Sequence, residues 1–131
     1  MFVRNAWYVA AAIAEISDKP LARTILNEPI VLFKNGRGEF CALEDRCCHR
    51  GAPLALGEPT EAGIRCGYHG MEFNREGVCT FIPGQTIIPK RARVKSYPAV
   101  AKTDYVWIWM GQADKADPAA IADYPPDDQV N

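Results

Sequence analysis

The sequence predicts an all-β domain, and two observations support that prediction: a hairpin pattern and a high content of turn residues. Short runs of apolar and β-branched residues at 21–26, 29–34 and 39–43 have the length and composition of strands. The last two runs flank Asn35-Gly36-Arg37-Gly38, and an Asn-Gly pair between apolar runs favours a tight turn with positive φ at both residues. The chain contains 10 Gly and 10 Pro, which favours a loop-rich protein.

The rest of the chain adds further predicted strands. A second hairpin is predicted over 70–82, where Asn74-Arg75-Glu76-Gly77 separates two short runs. Strands are also predicted at 91–97 and 105–110, and the second of these is apolar or aromatic throughout, which indicates burial of both its faces. Residues 7–16 have a weak helical pattern, so we expect a helix there.

Length and composition limit the class of protein. At 131 residues, with 48% apolar and 24% charged residues, the chain is expected to form one soluble domain. A net charge of −1 favours neither nucleic acid nor an anionic membrane surface as a partner. The apolar run at 6–14 is shorter than the roughly 18 residues of a membrane span and is a poor signal peptide, so we expect a cytoplasmic protein.

Residues 114–131 differ in composition from the rest of the chain. They include five Asp, three Pro and a single Lys and carry a charge of −4, whereas residues 1–113 carry +3. Pro125-Pro126 followed by two Asp can neither continue a regular element nor bury much surface. We therefore expect one domain over 1–113, followed at 114–131 by a Pro/Asp-rich linker or a truncated junction to a further domain.

The residues capable of metal chemistry are concentrated in two short segments. Cys47-Cys48-His49 is followed, after sixteen residues, by Cys66-Gly67-Tyr68-His69. Each segment supplies one thiolate and one imidazole, so two loops would together provide four ligands. Such a mixed set suits a tetrahedral zinc ion or a [2Fe–2S] cluster in which two His replace two Cys on one iron. The five cysteines are an odd number and form no closed set of disulfides, which favours cofactor ligation.

The order of the ligands favours the cluster over zinc. Zinc fingers pair Cys with Cys and His with His, whereas each segment here contributes one of each. In a cluster, Cys47 and Cys66 would bind one iron, and His49 and His69 would bind the other.

Glycines beside the ligands favour the same interpretation. Gly51, Gly67 and Gly70 would let the backbone approach closely and let its amides donate to bridging sulfides, because they have no Cβ. The β-rich chain around the two segments would hold both loops at strand ends. A structural zinc-binding module is the alternative.

The spacing Cys-x-His, sixteen residues, Cys-x-x-His is the signature of Rieske proteins, and its surroundings resemble the N-terminal Rieske domain of vanillate O-demethylase oxygenase-type proteins. The resemblance is carried by the segments 2–10, 45–54, 66–73, 82–85 and 106–111. It implies an antiparallel β-sandwich or barrel with a cluster-binding subdomain of two loops. It also implies one Rieske-type [2Fe–2S] cluster per chain, with Cys47, His49, Cys66 and His69 as its ligands.

The resemblance further implies partners. Oxygenases of this kind take electrons from a reductase or a ferredoxin, pass them to a mononuclear non-haem Fe(II) that oxidises an aromatic or methoxy-aromatic substrate, and assemble as trimers. A 2-His-1-carboxylate iron site needs two histidines beyond the cluster, but this chain contains only His49 and His69. We therefore expect the catalytic domain on residues absent here or on another chain, and no turnover by these residues alone. A free-standing Rieske ferredoxin is the alternative.

Residues around the predicted ligands have simpler interpretations as well. Cys48 lies between two ligands and is expected not to bind the cluster. Cys41 and Cys79 lie in apolar strands and are expected to be small core residues. Tyr68 could shield the cluster or pack in the core. The basic run 90–95 could steer an acidic reductase, but we favour charges that block pairing at a sheet edge.

Overall fold

The computed structural model describes residues 4–48 and 51–121, which form short strands joined by loops and single-turn 3₁₀ helices. The strands are β1 (Ala6–Ala12), β2 (Leu21–Ile25), β3 (Glu28–Lys34), β4 (Phe40–Glu44), β5 (Glu58–Pro59), β6 (Gly63–Arg65), β7 (Glu72–Asn74), β8 (Cys79–Phe81), β9 (Ser96–Tyr97), β10 (Ala99–Lys102) and β11 (Tyr105–Met110). The 3₁₀ helices span Ile13–Glu15, Leu54–Leu56, Ala113–Lys115 and Pro118–Ala120. No helix in the described ranges is long and apolar enough to cross a membrane.

The strands form three antiparallel sheets, as the predicted all-β class requires. Sheet A has the order β1-β11-β10, sheet B the order β2-β3-β4-β9, and sheet C the order β5-β6-β7-β8. The hairpins predicted from the sequence are present as β3–β4 and β7–β8. The apolar run at 105–110 is β11, whose residues from Val106 to Met110 are all buried, so its predicted burial on both faces is confirmed.

Sheet B lies at the centre because β3 is buried on both faces. Ile30 and Leu32 pack in one core with residues of β11, and Val31 and Phe33 pack in a second core with residues of sheet C. All four side chains are 0% exposed. Since successive side chains of a strand point to opposite faces, β3 packs against sheet A on one side and against sheet C on the other.

Both predicted hairpins turn around an asparagine that is followed three residues later by a glycine. The Oδ1 atoms of Asn35 and Asn74 each accept hydrogen bonds from the backbone N–H groups two and four residues further on. Positive φ occurs at Gly38 and Gly77, at 80° and 84°. The positive φ expected at Asn35 and Gly36 is therefore wrong, because the asparagine side chain caps a longer turn that reverses at its last residue.

Two-residue turns with positive φ do occur, at positions that carry no glycine signal. Leu26 and Asn27 connect β2 to β3 with φ of 52° and 64°. Thr103 and Asp104 connect β10 to β11 with φ of 52° and 68°. The pairing of the flanking strands selects this conformation over the local preference of these residues.

The helix expected over 7–16 is wrong. This segment forms β1, which pairs with β11 so that Trp7 lies opposite Trp109, with their rings edge to face at 5.4 Å. Only Ile13–Glu15 forms a 3₁₀ turn. A short segment with weak helical propensity gains more from a strand partner and an aromatic contact than from an isolated helix.

The strand expected over 91–97 is present only at its end, as β9 beside β4. Before β9, the segment makes one isolated bridge from Arg93 to Val78, and the carbonyl of Ala92 accepts a hydrogen bond from the N–H of Cys79. The N–H of Ala92 donates to the carbonyl of Pro89, which bends the chain there. The preceding prolines and this bend prevent a continuous ladder.

The start of the predicted linker packs against sheet A. Nε1 of Trp7 donates to the carbonyl of Asp117 at 3.0 Å, and Nζ of Lys102 donates to the carbonyl of Ile121 at 2.8 Å. The Ile121 side chain is 3% exposed, so this part of the chain does bury surface. Residues 122–131 lie outside the described residues, and the boundary at 113 stays a prediction.

A carboxylate at the start of β3 joins three distant parts of the chain. Glu28 accepts hydrogen bonds from the hydroxyl of Tyr97 at 2.5 Å, Nζ of Lys95 at 3.1 Å and Nη1 of Arg4 at 2.6 Å. Desolvation acts to raise the pKa of Glu28, but the hydrogen bonds from Tyr97, Arg4 and Lys95 outweigh it and lower the pKa from 4.5 to about 2. The same desolvation, with the bond to Glu28, raises the pKa of Tyr97.

We predict that Glu28→Gln lowers the free energy of unfolding by about 1 to 2 kcal/mol at neutral pH, because the amide loses the charge that binds Arg4 and Lys95. The folded-state pKa lies below the unfolded value of 4.5, so this stabilisation is complete above that value and is lost as the pH falls toward 2. Denaturant titrations at neutral pH and at about pH 3 should therefore show a smaller difference at the lower pH. Glu76→Gln, on a side chain that is 65% exposed, is the control and should change little. A difference that is equal at both pH values would contradict the prediction.

Candidate metal centre

The first predicted ligand loop follows β4 directly. The N–H of Cys47 donates to the carbonyl of Ala52 at 2.8 Å, and the N–H of Gly51 donates back to the carbonyl of Cys47 at 2.9 Å. Gly51 has a φ of 71°, in the left-handed region that a residue with a Cβ adopts only at a cost. The carboxylate of Asp45 accepts the N–H of Ala55 at 2.8 Å and so fixes the end of the loop.

The second predicted ligand loop connects β6 to β7 and repeats this hydrogen-bond pattern. The N–H of Cys66 donates to the carbonyl of Met71 at 2.7 Å, and the N–H of Gly70 donates to the carbonyl of Cys66 at 3.0 Å. Gly70 has a φ of 78°. In each loop the cysteine is bonded to the residues four and five positions further on, so both loops close as the same tight turn. The signal in the sequence is a glycine four residues after each cysteine; these glycines were expected to allow close backbone approach, and their positive φ also closes the turn.

The thiols of the two loops lie in the protein interior. Cys47 and Cys66 are 4% and 2% exposed and belong to the core between sheets B and C. Sγ of Cys47 lies 3.7 Å from Sδ of Met71, whose backbone carbonyl binds the N–H of Cys66, so Met71 contacts both loops. Sγ of Cys66 accepts the backbone N–H of Tyr68 at 3.5 Å. A backbone donor at the sulfur stabilises negative charge there, as a bound thiolate requires.

The described imidazole is exposed, unlike the two thiols. His69 is exposed, and the ring of Tyr68 packs on it with 3.9 Å between ring centroids. Tyr68 is itself 58% exposed, so it covers the imidazole rather than packing in the core. His69 lines a cleft of about 590 Å³ together with Cys48, Met71 and other residues. His49 lies outside the described residues.

The two loops approach each other so closely that glycine is required between them. A Cβ on Gly57 would lie 1.9 Å from the carbonyl oxygen of Arg65, and a Cβ on Gly67 would lie 2.9 Å from the carbonyl oxygen of Leu56. Both distances are too short for a carbon atom. The turn at Leu54–Leu56 therefore packs directly on the backbone of the second loop and holds it against the first.

These residues fit a cluster with two kinds of ligand. Two buried thiols would bind the inner iron, and an exposed imidazole would bind an outer iron at the surface. Among residues 4–48 and 51–121 no three His, Cys, Asp or Glu side chains form a group that could hold a metal ion. The donor types, the amide at Cys66 Sγ and the glycine turns are those that a [2Fe–2S] cluster with mixed ligands uses.

Comparison with known proteins identifies the family. Residues 6–98 match the Rieske [2Fe-2S] domain. The chain belongs to the Rieske [2Fe–2S] domain family. The cofactor of this family is a Rieske-type [2Fe–2S] cluster, in which two His replace two Cys on one iron.

Curated relatives of this Rieske domain are components of oxygenases. It is 54% identical over 123 residues to the putative toluene-4-sulfonate monooxygenase system iron-sulfur subunit of Comamonas testosteroni, covering 94% of this chain and 36% of that protein. It is 46% identical over 121 residues to the vanillate O-demethylase oxygenase subunit of Pseudomonas sp. (strain HR199 / DSM 7063), covering 92% of this chain and 34% of that protein. The chain therefore spans 34–36% of the length of these relatives.

A solved structure confirms the fold of the Rieske domain. The crystal structure of dicamba monooxygenase bound to dicamba matches with a TM-score of 0.89 and 45% sequence identity, covering 94% of this chain and 37% of that one. The curated dicamba O-demethylase oxygenase component is from Stenotrophomonas maltophilia. The predicted membership of the Rieske oxygenase branch and the predicted fold are thus confirmed.

Two of the remaining cysteines of the Rieske domain have the buried environment predicted for them. Cys41 and Cys79 are 3% and 4% exposed, and desolvation raises the pKa of both thiols, that of Cys41 to about 11. They are therefore small core residues, as expected. Cys48 is exposed beside the ligand loops. None of the five cysteines, all of them within the described residues, forms a disulfide.

We predict that Gly70→Ala lowers the iron content per chain and the free energy of unfolding, the latter by about 1 to 2 kcal/mol, because an L-residue resists the left-handed conformation. A Cβ there would lie 3.5 Å from Pro83, an ordinary contact, so the effect isolates the backbone conformation. Gly70→Asn should lose less, since Asn tolerates this region.

Gly38→Ala is the matched control for this prediction. Gly38 has a φ of 80° and nothing within 4 Å of a built Cβ, but it lies at the end of β4 away from the ligand loops. The Gly38→Ala variant should lose a similar amount of stability in thermal unfolding but keep its full iron content. Equal iron loss in both variants would mean that the turn at Gly70 has no specific role at the cluster.

Proposed function

We propose that this domain transfers single electrons through a Rieske-type [2Fe–2S] cluster bound by Cys47, His49, Cys66 and His69, as the N-terminal part of an oxygenase acting on aromatic or methoxy-aromatic compounds. The observation that carries the proposal is the opposite placement of the ligand types. The thiols of Cys47 and Cys66 are buried in the core, whereas His69 is exposed on the surface.

This placement suits electron transfer because the cluster would supply a one-electron couple close to the surface. The buried thiols would hold the inner iron away from water, which limits loss of the cluster. His69 would present the outer iron to a partner at the surface. The Tyr68 ring on His69 would orient the imidazole and exclude part of the solvent from it.

The catalytic part of such an oxygenase would lie beyond these residues. A mononuclear iron site of the 2-His-1-carboxylate type needs two further histidines, and the chain has two histidines in total, both in the cluster motif. Relatives that match over 92–95% of this chain are about three times as long, which supports a catalytic domain on additional residues or on another chain. The proposal includes no turnover of substrate by residues 1–131 alone.

The proposed partners follow from the same comparison. An electron donor, either a reductase or a ferredoxin, would reduce the cluster, and a non-haem Fe(II) domain would receive the electron within a homotrimer of the oxygenase. We propose a cytoplasmic location, because a reducing compartment suits cysteines that form no disulfide within the described residues. A free-standing Rieske ferredoxin is less favoured, since the curated relatives given above are named as oxygenase components or monooxygenase subunits.

The ligand assignment is tested by metal analysis and EPR of ligand variants purified without oxygen. The unmodified protein should contain two irons and two acid-labile sulfides per chain, with a rhombic signal of low average g after dithionite reduction. Cys47→Ser, Cys66→Ser and His69→Ala should each abolish or greatly reduce that signal, because each removes a bond to iron. Cys48→Ser and Cys79→Ser are the controls and should keep it.

Three outcomes would contradict the proposal. One zinc per chain without visible colour would replace the electron-transfer function with a structural zinc module. A full EPR signal in His69→Ala or Cys66→Ser would mean that other residues bind the cluster. Loss of the signal in Cys48→Ser with a folded protein would move the ligand assignment to Cys48.

A further inference from the structure

Two arginines line clefts beside the ligand loops. Arg91 lines the cleft of about 590 Å³ that contains His69 and Cys48. Arg93 lines the adjoining cleft of about 370 Å³ that contains Cys47 and Cys48. Lys90, Arg91 and Arg93, here called the basic rim, are all exposed. The positive charge of the run 90–95 is thus next to the proposed cluster.

The backbone of this segment is fixed, so the charges are held in place. The carbonyl of Ala92 binds the N–H of Cys79, and the N–H of Val94 binds the carbonyl of Gly77 at 2.8 Å. Val94 is 3% exposed and packs in the core beside the ligand loops. Because neighbouring side chains of an extended segment point to opposite faces, burial of Val94 turns Arg93 outward, and Arg91 is exposed in the turn before it.

The basic rim has no carboxylate partners among the described residues, unlike most arginines of the domain. Five other arginines form ion pairs with Asp or Glu: Arg4, Arg23, Arg46, Arg65 and Arg75. Glu44 lines the same cleft as Arg93, but its carboxylate is bound by Arg46 at 2.7 Å and by the N–H of Lys95 at 3.2 Å. The charge of the rim is therefore available to a partner.

We propose that the basic rim of Lys90, Arg91 and Arg93 is a docking surface for an electron-donor protein that presents a cluster of carboxylates. This proposal rests on the proposed electron-transfer function and adds to it the site and the charge of the donor. Exposed apolar side chains lie at the second loop as well: Tyr68 within the loop is 58% exposed, and Leu56, whose carbonyl lies against Gly67, is 79% exposed. A donor seated on the rim would contact the cluster edge at His69.

The physics of short-lived redox complexes favours such a surface. Transfer of an electron requires close approach but not tight binding, and charge complementarity raises the encounter rate by about 10-fold to 1,000-fold. Weak electron-transfer encounters bury small areas, so a few charges beside the cluster suffice. The whole chain has a net charge of −1, so an acidic donor would be attracted by this rim and not by the protein as a whole.

The test measures cluster reduction by stopped flow in the cluster-containing protein. The probe is a reduced, acidic plant-type [2Fe–2S] ferredoxin, whose potential of about −400 mV makes reduction of a Rieske cluster at about −150 mV or higher favourable. The variant is Arg91→Glu with Arg93→Glu. At about 10 mM ionic strength, we expect the second-order rate constant of this variant to be about tenfold lower than that of the unmodified protein. At about 1 M, where the Debye length is about 3 Å, the two rate constants should become equal.

A charge-matched control separates the local surface from net charge. The double variant Lys19→Glu with Arg37→Glu makes the same change in net charge. Arg37 lies in the β3–β4 turn, at the end of β4 that is away from Cys47. Lys19 lines neither cleft. The control should keep the rate within about twofold, since distant charges are screened. Oxidation of the reduced cluster by cytochrome c, a basic protein, should become faster in the Arg91/Arg93 variant.

The outcomes are distinct. Equal rates for the rim variant and the control would contradict the docking surface, whether both fall or both are unchanged. Slower reaction with both ferredoxin and cytochrome c would assign the effect to a damaged or shifted cluster, and EPR-monitored potentials of each variant would reveal such a shift. If the rim variant differs from the unmodified protein only when nucleic acid or anionic vesicles are present, the rim binds one of these instead of a donor protein, and the proposal is overturned. If the unmodified protein and all variants lack the cluster, the proposed function is wrong, and the docking surface, which rests on it, is wrong as well.

Discussion

Everything proposed for this domain depends on how two cysteine loops meet at Met71. The side chain of Met71 contacts Sγ of Cys47, and its backbone binds Cys66, so one residue at the start of the third strand of sheet C fixes both thiols in the interior. Beside this contact, Gly57 and Gly67 let the segment after the first loop pack on the backbone of the second, because a Cβ on either would overlap a carbonyl oxygen. Once the thiols are buried, the turn of the second loop leaves His69 at the surface.

The sheets explain why this meeting point is rigid. Sheet B supplies the first loop at the end of β4, and sheet C supplies the second between β6 and β7. The core that joins these sheets contains Phe33, Ile64 and Phe73, all at most 1% exposed, together with both thiols. Ligand geometry is therefore fixed by the same packing that stabilises the fold, and a cluster bound there would undergo little rearrangement on reduction. The basic rim is attached to this core through Val94.

The sequence predicted the ligand motif, the fold class and both Asn-initiated hairpins, because these depend on residue types at fixed spacing. It did not predict β1, whose strand conformation depends on pairing with β11 and on the contact of Trp7 with Trp109. The strand predicted at 91–97 was too long, because the path of that segment is set by hydrogen bonds to residues distant in sequence. The division of ligands between interior and surface is likewise a tertiary property. A local motif names candidate ligands but not which of them lie in the interior and which at the surface.

Pulsed EPR of the dithionite-reduced protein detects nitrogen bound to iron and so tests whether histidines bind the cluster. We expect two inequivalent nitrogen couplings in the unmodified protein. Both should be lost with the cluster signal in His69→Ala, whereas Cys48→Ser should keep both. A reduced cluster without nitrogen couplings would show ligation by cysteine alone. That result would contradict the assignment of histidine to the exposed iron, and with it the proposed route of the electron.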